Sequence, residues 1–178
     1  QQLWHQMQVG DIAQKICYIP ELDVGLNLLQ MRLGAEECVG IVTPHRAQRV
    51  LVVRELTKLF PGEAALIDEA VDTVEKFQGG ERHVIIVSFG VADADVIAGE
   101  EAFLMQLQRT NVAISRAQAK CIVVMPTTLA GHVPQDKKAL LTAHAIKDYV
   151  DDFCDQEVPL TITLAGGGTR KGKLRFKA

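Results

Sequence analysis

Short apolar runs rich in β-branched residues recur along the chain, at 16–19, 39–43, 71–74, 84–89 and 121–125. Three of them are nearly continuous in Val, Ile and Cys rather than alternating. That is the pattern of strands buried on both faces of a parallel sheet. Helical periodicity lies between them. Leu22, Leu26, Leu29 and Leu33 share one face of a helix over 22–33. A second helix is expected after 39–43, with Thr43 as its cap and Pro44 at the first helical position. Its buried stripe reads as Ala47, Val50, Leu51, Leu59 and Phe60, and Pro61-Gly62 ends it. The segments 104–119 and 137–153 read as a third and a fourth helix. Strands alternating with helices predict an α/β domain with a mainly parallel sheet and helices on both faces. Ligands of such sheets bind at the carboxyl ends of the strands, so the residues just after each strand are the first place to look for chemistry.

Residues 155–178 break the pattern. Thr alternates with aliphatic residues over 160–164, then come Gly166-Gly167-Gly168 and a basic stretch. Two readings stay open: a hairpin pairing 160–164 with 173–176, or a frayed, solvated basic tail. The expected organisation is a domain over 1–154 and an extension over 155–178.

The chain has 178 residues, which is one domain's worth and enough to bury a core without disulfides or metals. Its 48% hydrophobic and 23% charged residues exclude global disorder. No apolar run reaches the ~18–20 residues of a membrane helix. The opening QQLWHQMQVG has neither the basic start nor the apolar core of a secretory signal. The first residue is Gln1 rather than Met, so a longer parent polypeptide is expected. Cys17, Cys38, Cys121 and Cys154 include no C-x-x-C pair, which argues against zinc-ribbon and thioredoxin chemistry. The expected reading is reduced thiols packed as small hydrophobes in an intracellular protein, cytoplasmic or nuclear. Net charge is −3, but Arg170, Lys171, Lys173, Arg175 and Lys177 crowd the end. Setting these five aside from 19 basic residues leaves 14 against 22 acidic ones, so the rest carries about −8.

Residues 167–173, GGTRKGK, match the G-x-x-x-x-G-K core of a phosphate-binding loop. Leu174 follows where a Ser or Thr must hold Mg²⁺, and no room remains for the helix whose amides bind the phosphates. We therefore expect no P-loop in this chain.

Three segments are more polar and more specific than plain loops: VGIVTPHRAQ over 39–48, VDTVEKFQGGERHVIIVS over 71–88, and RTNVAISRAQAKCIVV over 109–124. Singly, each has a bland reading. Thr43 and Pro44 make a helix start, Gln78-Gly79-Gly80 a turn, and Arg109 and Arg116 two surface charges on one helix face. Together, in this order, they resemble motifs IV, V and VI of the second RecA-like domain of superfamily 1 helicases. The resemblance is greatest to the branch that includes the nonsense-mediated-decay RNA helicase and the DNA-replication helicase-nuclease. It spans roughly 36–125, and RTNVAISRA over 109–117 is its most specific part. The chain departs from the family at His45, where an aromatic is usual, at Gly80, usually Arg, and at His83, usually a carboxylate.

The resemblance implies a RecA-like motor domain, the C-terminal one of a pair, that hydrolyses ATP only with its N-terminal RecA-like partner from the same polypeptide. ATP and Mg²⁺ would be held mainly by that partner, and this chain alone would be inactive. Arg116 would be the arginine finger, and Gln78 would act beside it in catalysis. Gln78, Gly79, Glu81, Arg109 and Arg116 would contact the nucleotide. Thr43, Pro44, His45 and Thr73 would contact single-stranded DNA or RNA through its backbone, without a membrane partner. A helicase-like scaffold or nucleic-acid-binding module that has lost hydrolysis is the alternative.

Overall fold

Alternate residues of the central strands enter two different cores, and this is why their sequences are apolar without a break. The computed structural model describes residues 2–4, 39–77, 81–106, 111–112, 114–163 and 168–177. The strand expected over 16–19 and the helix over 22–33 lie outside them. The first described strand, β1 (Gln2–Trp4), pairs with the last. The main sheet contains β2 (Val39–Thr43), β3 (Val71–Thr73), β4 (Arg82–Ser88) and β5 (Ala117–Val124) in the order β3-β2-β4-β5. Every neighbouring pair is parallel. Ile41, Val84, Ile86 and Val124 face one core, where they meet Val52, Leu56 and Ile67. Val42, Ile85, Val87 and Val123 face the other, where they meet Ile97, Leu104, Leu129, Ala143 and Ile146. The fold is thus a mainly parallel α/β sheet of RecA-like type with helices on both faces.

Helices α1 (Arg46–Leu59) and α2 (Ala64–Ala70) cover the first core. Helix α1 starts two residues later than its sequence suggests. Thr43 is still paired with Thr73 in the sheet, and the extended backbone before Pro44 continues the strand. His45 is the cap, in extended conformation and without a side-chain cap bond. The Thr43 hydroxyl instead donates to the His45 carbonyl at 3.3 Å. The buried face of α1 is Gln48, Val52 and Leu56, not the apolar stripe expected. Ala47 is exposed, and Val50 and Leu59 are 60% and 41% exposed. The polar Gln48 is buried beside Val52 and Leu56 because it is hydrogen-bonded there.

The second core is covered by α3 (Ala94–Gly99), α4 (Glu101–Leu104), α5 (Thr127–Ala130) and α6 (Lys137–Asp148), the last continuing into one π-helical turn, Tyr149–Phe153. Asp93 caps α3 by accepting from the Asp95 and Val96 amides at 3.0 and 3.1 Å. The long helix expected over 104–119 is interrupted. Helix α4 ends at Leu104, and β5 already begins at Ala117. Polar Gln118 and Lys120 sit within β5 because it is the edge strand of this sheet among the described residues, with one side free of a partner strand.

Strands β6 (Gln156–Thr163) and β7 (Thr169–Phe176) form an antiparallel hairpin, with Leu160 opposite Gly172 and Thr161 opposite Lys171. Leu160 and Leu174 rest on the first core. The basic stretch is therefore strand β7, and the P-loop-like residues continue into a strand rather than a helix. Among the described residues no helix is long and apolar enough to cross a membrane.

Candidate nucleic-acid and nucleotide sites

Parallel strands put all their carboxyl ends on one edge of the sheet, and the chain order reverses between β2 and β4. That switch point opens a crevice at the ends of the two strands. Thr43 ends β2 there, with Pro44 and His45 just after it, and Thr73 ends β3 alongside. Thr43 and Thr73 are 0% and 4% exposed, and Pro44 is buried with them. They underlie the surface rather than forming it. The His45 side chain does reach solvent, at 27% exposed. Its Nε2 is 2.8 Å from Glu100 Oε2, and its ring lies 5.0 Å from that of Phe103. A partly open ring, held at its rim and on one side, is a platform on which a base can stack.

Beneath these turns lie residues to which their sequence alone assigns no role. Gln48 Nε2 donates to the Ser88 carbonyl and to Ser88 Oγ, both at 2.9 Å. Its Oε1 is buried without a partner among the described residues. Gly90 makes room for it, because any side chain there would overlap the Gln48 amide. Arg49 secures the motif V strand. Its Nε donates to the Val71 carbonyl at 2.8 Å, and its Nη2 donates to the Asp68 carbonyl and carboxylate at 2.9 and 2.8 Å. The Asp72 carboxylate then accepts from the Thr73 amide at 2.8 Å. The Thr73 carbonyl accepts from the Lys76 and Phe77 amides, closing the turn that follows.

Glu100, between α3 and α4, and Glu101, the first residue of α4, reach in different directions. Glu100 holds His45. Glu101 is buried and accepts from His132 Nε2 at 2.9 Å and from the Asp136 amide at 2.7 Å. The His132 hydrogen bond above all, then the Asp136 amide, holds the Glu101 carboxyl below its ordinary range. These partners lie tens of residues away, so no local spacing announces them.

The second cluster is at the opposite edge. Glu81 and Arg116 stand before β4 and β5, not after them. The seven residues of β4 separate the two edges by about 20 Å. This corrects the expectation that all the chemistry follows the strands: only motif IV and the start of motif V do. The end of motif V and the end of motif VI enter strands, and so they meet at the amino edge. The Arg82 amide donates to the Arg116 carbonyl at 3.0 Å. Gln118 Nε2 donates to Glu81 Oε2 at 3.1 Å. Phe77 seats over Gly40, where a Cβ would overlap its ring, and the Arg82 guanidinium lies 5.4 Å from the Phe77 ring centre. Arg116 is half-buried, and its Nε is enclosed with no hydrogen-bond partner among the described residues. Gln78, Gly79 and Arg109 lie outside the described residues.

An enclosed guanidinium with an unused N–H fits a phosphate oxygen, and a neighbouring carboxylate fits a ribose hydroxyl. For Mg²⁺ the described residues contain no group of three His, Cys, Asp or Glu side chains placed to hold a metal. Cys121 offers no nucleophile, since burial pushes its thiol up to about 11.

A family model described as an AAA domain matches residues 22–127. Human senataxin, named a probable helicase, is 35% identical over 86 residues, covering 48% of this chain and 3% of that protein. Helicase SEN1 of Saccharomyces cerevisiae is 30% identical over 118 residues, 65% of this chain and 5% of that protein. The DNA replication ATP-dependent helicase/nuclease DNA2 of Bos taurus is 30% identical over 113 residues, 64% and 10% respectively. The chain belongs to the AAA-domain family and, within it, to the superfamily 1 helicases of the branch that holds these relatives. It spans at most a tenth of their length.

Proposed function

We propose that this domain is the second, C-terminal motor domain of an intracellular ATP-dependent helicase that translocates on single-stranded DNA or RNA. The observation that carries the reading is Arg116. The residue is half-buried, its Nε–H is enclosed with no partner among the described residues, and a backbone bond ties it to the Glu81 segment about 20 Å from the His45 end. A solvated structural arginine has no cause to enclose an unpaired N–H, because burying one costs about 1–3 kcal/mol.

In this reading the domain holds two ligands on opposite edges. At the amino edge Arg116 meets the charge that spreads over a transferring phosphoryl group. Such a finger is worth ~10³–10⁵ in kcat. Glu81 takes the ribose, Gln78, Gly79 and Arg109 complete the nucleotide contacts, and Gln78 assists the attacking water. ATP, with Mg²⁺ supplied by the N-terminal RecA-like domain, furnishes the phosphoryl chemistry. At the carboxyl edge His45 stacks on a base, while Thr43, Pro44 and Thr73 shape and support the turns whose backbone meets the strand's phosphates. Contacts of this kind do not read sequence, as a motor requires. The sheet between the edges is rigid, so closing one cleft displaces the other, and the two grips alternate.

The test is ATPase activity of the full-length polypeptide, with and without single-stranded DNA and RNA, beside its Arg116→Ala variant. Stimulated turnover that falls at least ~10³-fold in the variant, with ATP binding kept, is the expected result. Equal turnover in both proteins removes Arg116 from the role. No turnover under any condition favours a scaffold that has lost hydrolysis.

A further inference from the structure

The C-terminal hairpin divides sharply in charge along its length. At its base every cation is matched. Arg175 meets Glu157 at 2.8 Å and also Asp151, Lys173 meets Glu157 at 2.8 Å, and Lys177 meets Asp155. Leu160 and Leu174 anchor this part on the domain core. Beyond the Leu160–Gly172 pair the ribbon changes character. Thr161, Thr169, Arg170 and Lys171 are all exposed. Arg170 and Lys171 are consecutive in a strand and so point to opposite faces. Exposure of both means that the ribbon stands clear of the domain here. Neither has an acidic partner among the described residues, and the sequence contains no Asp or Glu from Val158 to its end.

We propose that this projecting end of the hairpin grips the phosphate backbone of nucleic acid, at a contact separate from the His45 crevice. The choice of partner rests on charge. Outside these two residues the chain holds 17 basic against 22 acidic residues, a net of about −5 that repels a polyanion, whereas here two cations stand without an acidic partner among the described residues on both faces of a ribbon two strands wide. Arg170 offers a planar fork to phosphate, and Lys171 a point charge. The hydroxyls of Thr161, opposite Lys171 in register, and of Thr169 are placed to donate to further phosphate oxygens. A two-stranded ribbon is also narrow enough to lie in a nucleic-acid groove. The contact takes any sequence, because it is made to the phosphate backbone rather than to base edges. The proposal takes its partner from the motor reading but does not need Arg116 to function.

The experiment is fluorescence anisotropy of the 178-residue chain with labelled oligothymidylate and oligouridylate of about 20 nucleotides, longer than the ~4–16 that one small module covers. Binding is followed across salt concentration for wild type, Arg170→Glu/Lys171→Glu and Lys173→Ala. The double variant is expected to bind at least ~10-fold more weakly, with a salt slope shallower by about 1.4, or ~0.7 per lost phosphate contact. Lys173→Ala changes far less, because Glu157 already neutralises that charge. Both altered residues of the double variant are exposed, and a melting curve checks that the hairpin's anchoring persists. Unchanged affinity and slope overturn the proposal, as does a wild-type chain that binds neither oligonucleotide. Competition by polyglutamate as strong as by nucleic acid also overturns it. The motor reading is judged apart, by turnover of Arg116→Ala. If hairpin variants bind normally while that turnover collapses, the ribbon falls and the motor stands. The reverse pair of results does the opposite.

Discussion

A single methyl group at Gly90 tests whether the end of β4 and the first turn of α1 are one rigid unit. In Gly90→Ala the added carbon falls 2.5 Å from Gln48 Nε2 and 2.7 Å from its Cδ, well inside the ~3.5–4.0 Å of ordinary contact. Gln48 cannot swing aside cheaply. It is 6% exposed, and its amide holds both Ser88 oxygens at 2.9 Å. Stripping partners from a buried donor costs about 1–3 kcal/mol. Forcing a methyl into a packed site adds about 1–3 kcal/mol. We expect a loss of ~2–5 kcal/mol from a total of ~5–15, and a melting temperature lower by about 2–4 °C per kcal/mol. Urea unfolding of wild type, Gly90→Ala, Gln48→Ala and the double variant isolates the cause. All three nearest atoms to the new methyl belong to Gln48. Once Gln48 is truncated, the methyl should therefore cost under ~1 kcal/mol, leaving a coupling of at least ~1 kcal/mol. Losses additive to within ~0.5 kcal/mol would refute the reasoning, because Gly90 would then be making room for something else.

Other perturbations follow from the same geometry. Glu101→Gln bears on pH. The His132 hydrogen bond lowers the folded carboxyl from its ordinary 4.5, so the stabilisation is full above that value and disappears as pH falls through the lowered one. The variant should be less stable at neutral pH, and its urea midpoint should fall less between about pH 5 and pH 3; parallel curves would count against the assignment. His45→Ala should weaken single-strand binding ~5- to 100-fold, the worth of one stacked base, and His45→Phe should restore it. Equal binding by all three forms removes His45 from the strand's path. Thr73→Ala should weaken the same binding for every sequence tested without changing its salt slope, since no charge is lost; a changed slope would point to a different contact.

How much was legible in advance differs by element. The fold class was, because continuous runs such as VIIV at 84–87 have few explanations besides a two-sided buried strand. Motif VI was legible as a pattern too. The phase of α1 was not. Its apolar residues suggest one face, yet Gln48 is buried on another, because a hydrogen bond to Ser88 forty residues away offsets the cost of burying its polar amide. Nor was the start of β5: Gln118 and Lys120 break its apolar run, and the Gln118 amide meets the Glu81 carboxylate only once β4 and β5 lie side by side.

The amino-acid sequence by itself determined that the apolar runs at 39–43, 71–74, 84–89 and 121–125 supply the strands of one parallel sheet. Its local preferences and apolar runs act over a few residues, and such information survives in one dimension. Tertiary structure alone decided which of the three polar segments share an edge. It sent Arg116 and Glu81 to the amino edge and His45 to the carboxyl edge, and it lowered Thr43 and Thr73 beneath the surface. It also paired the basic residues at the hairpin's base while leaving Arg170 and Lys171 free. These outcomes depend on partners brought together from distant parts of the chain, and spacing along a sequence does not encode distances across a sheet.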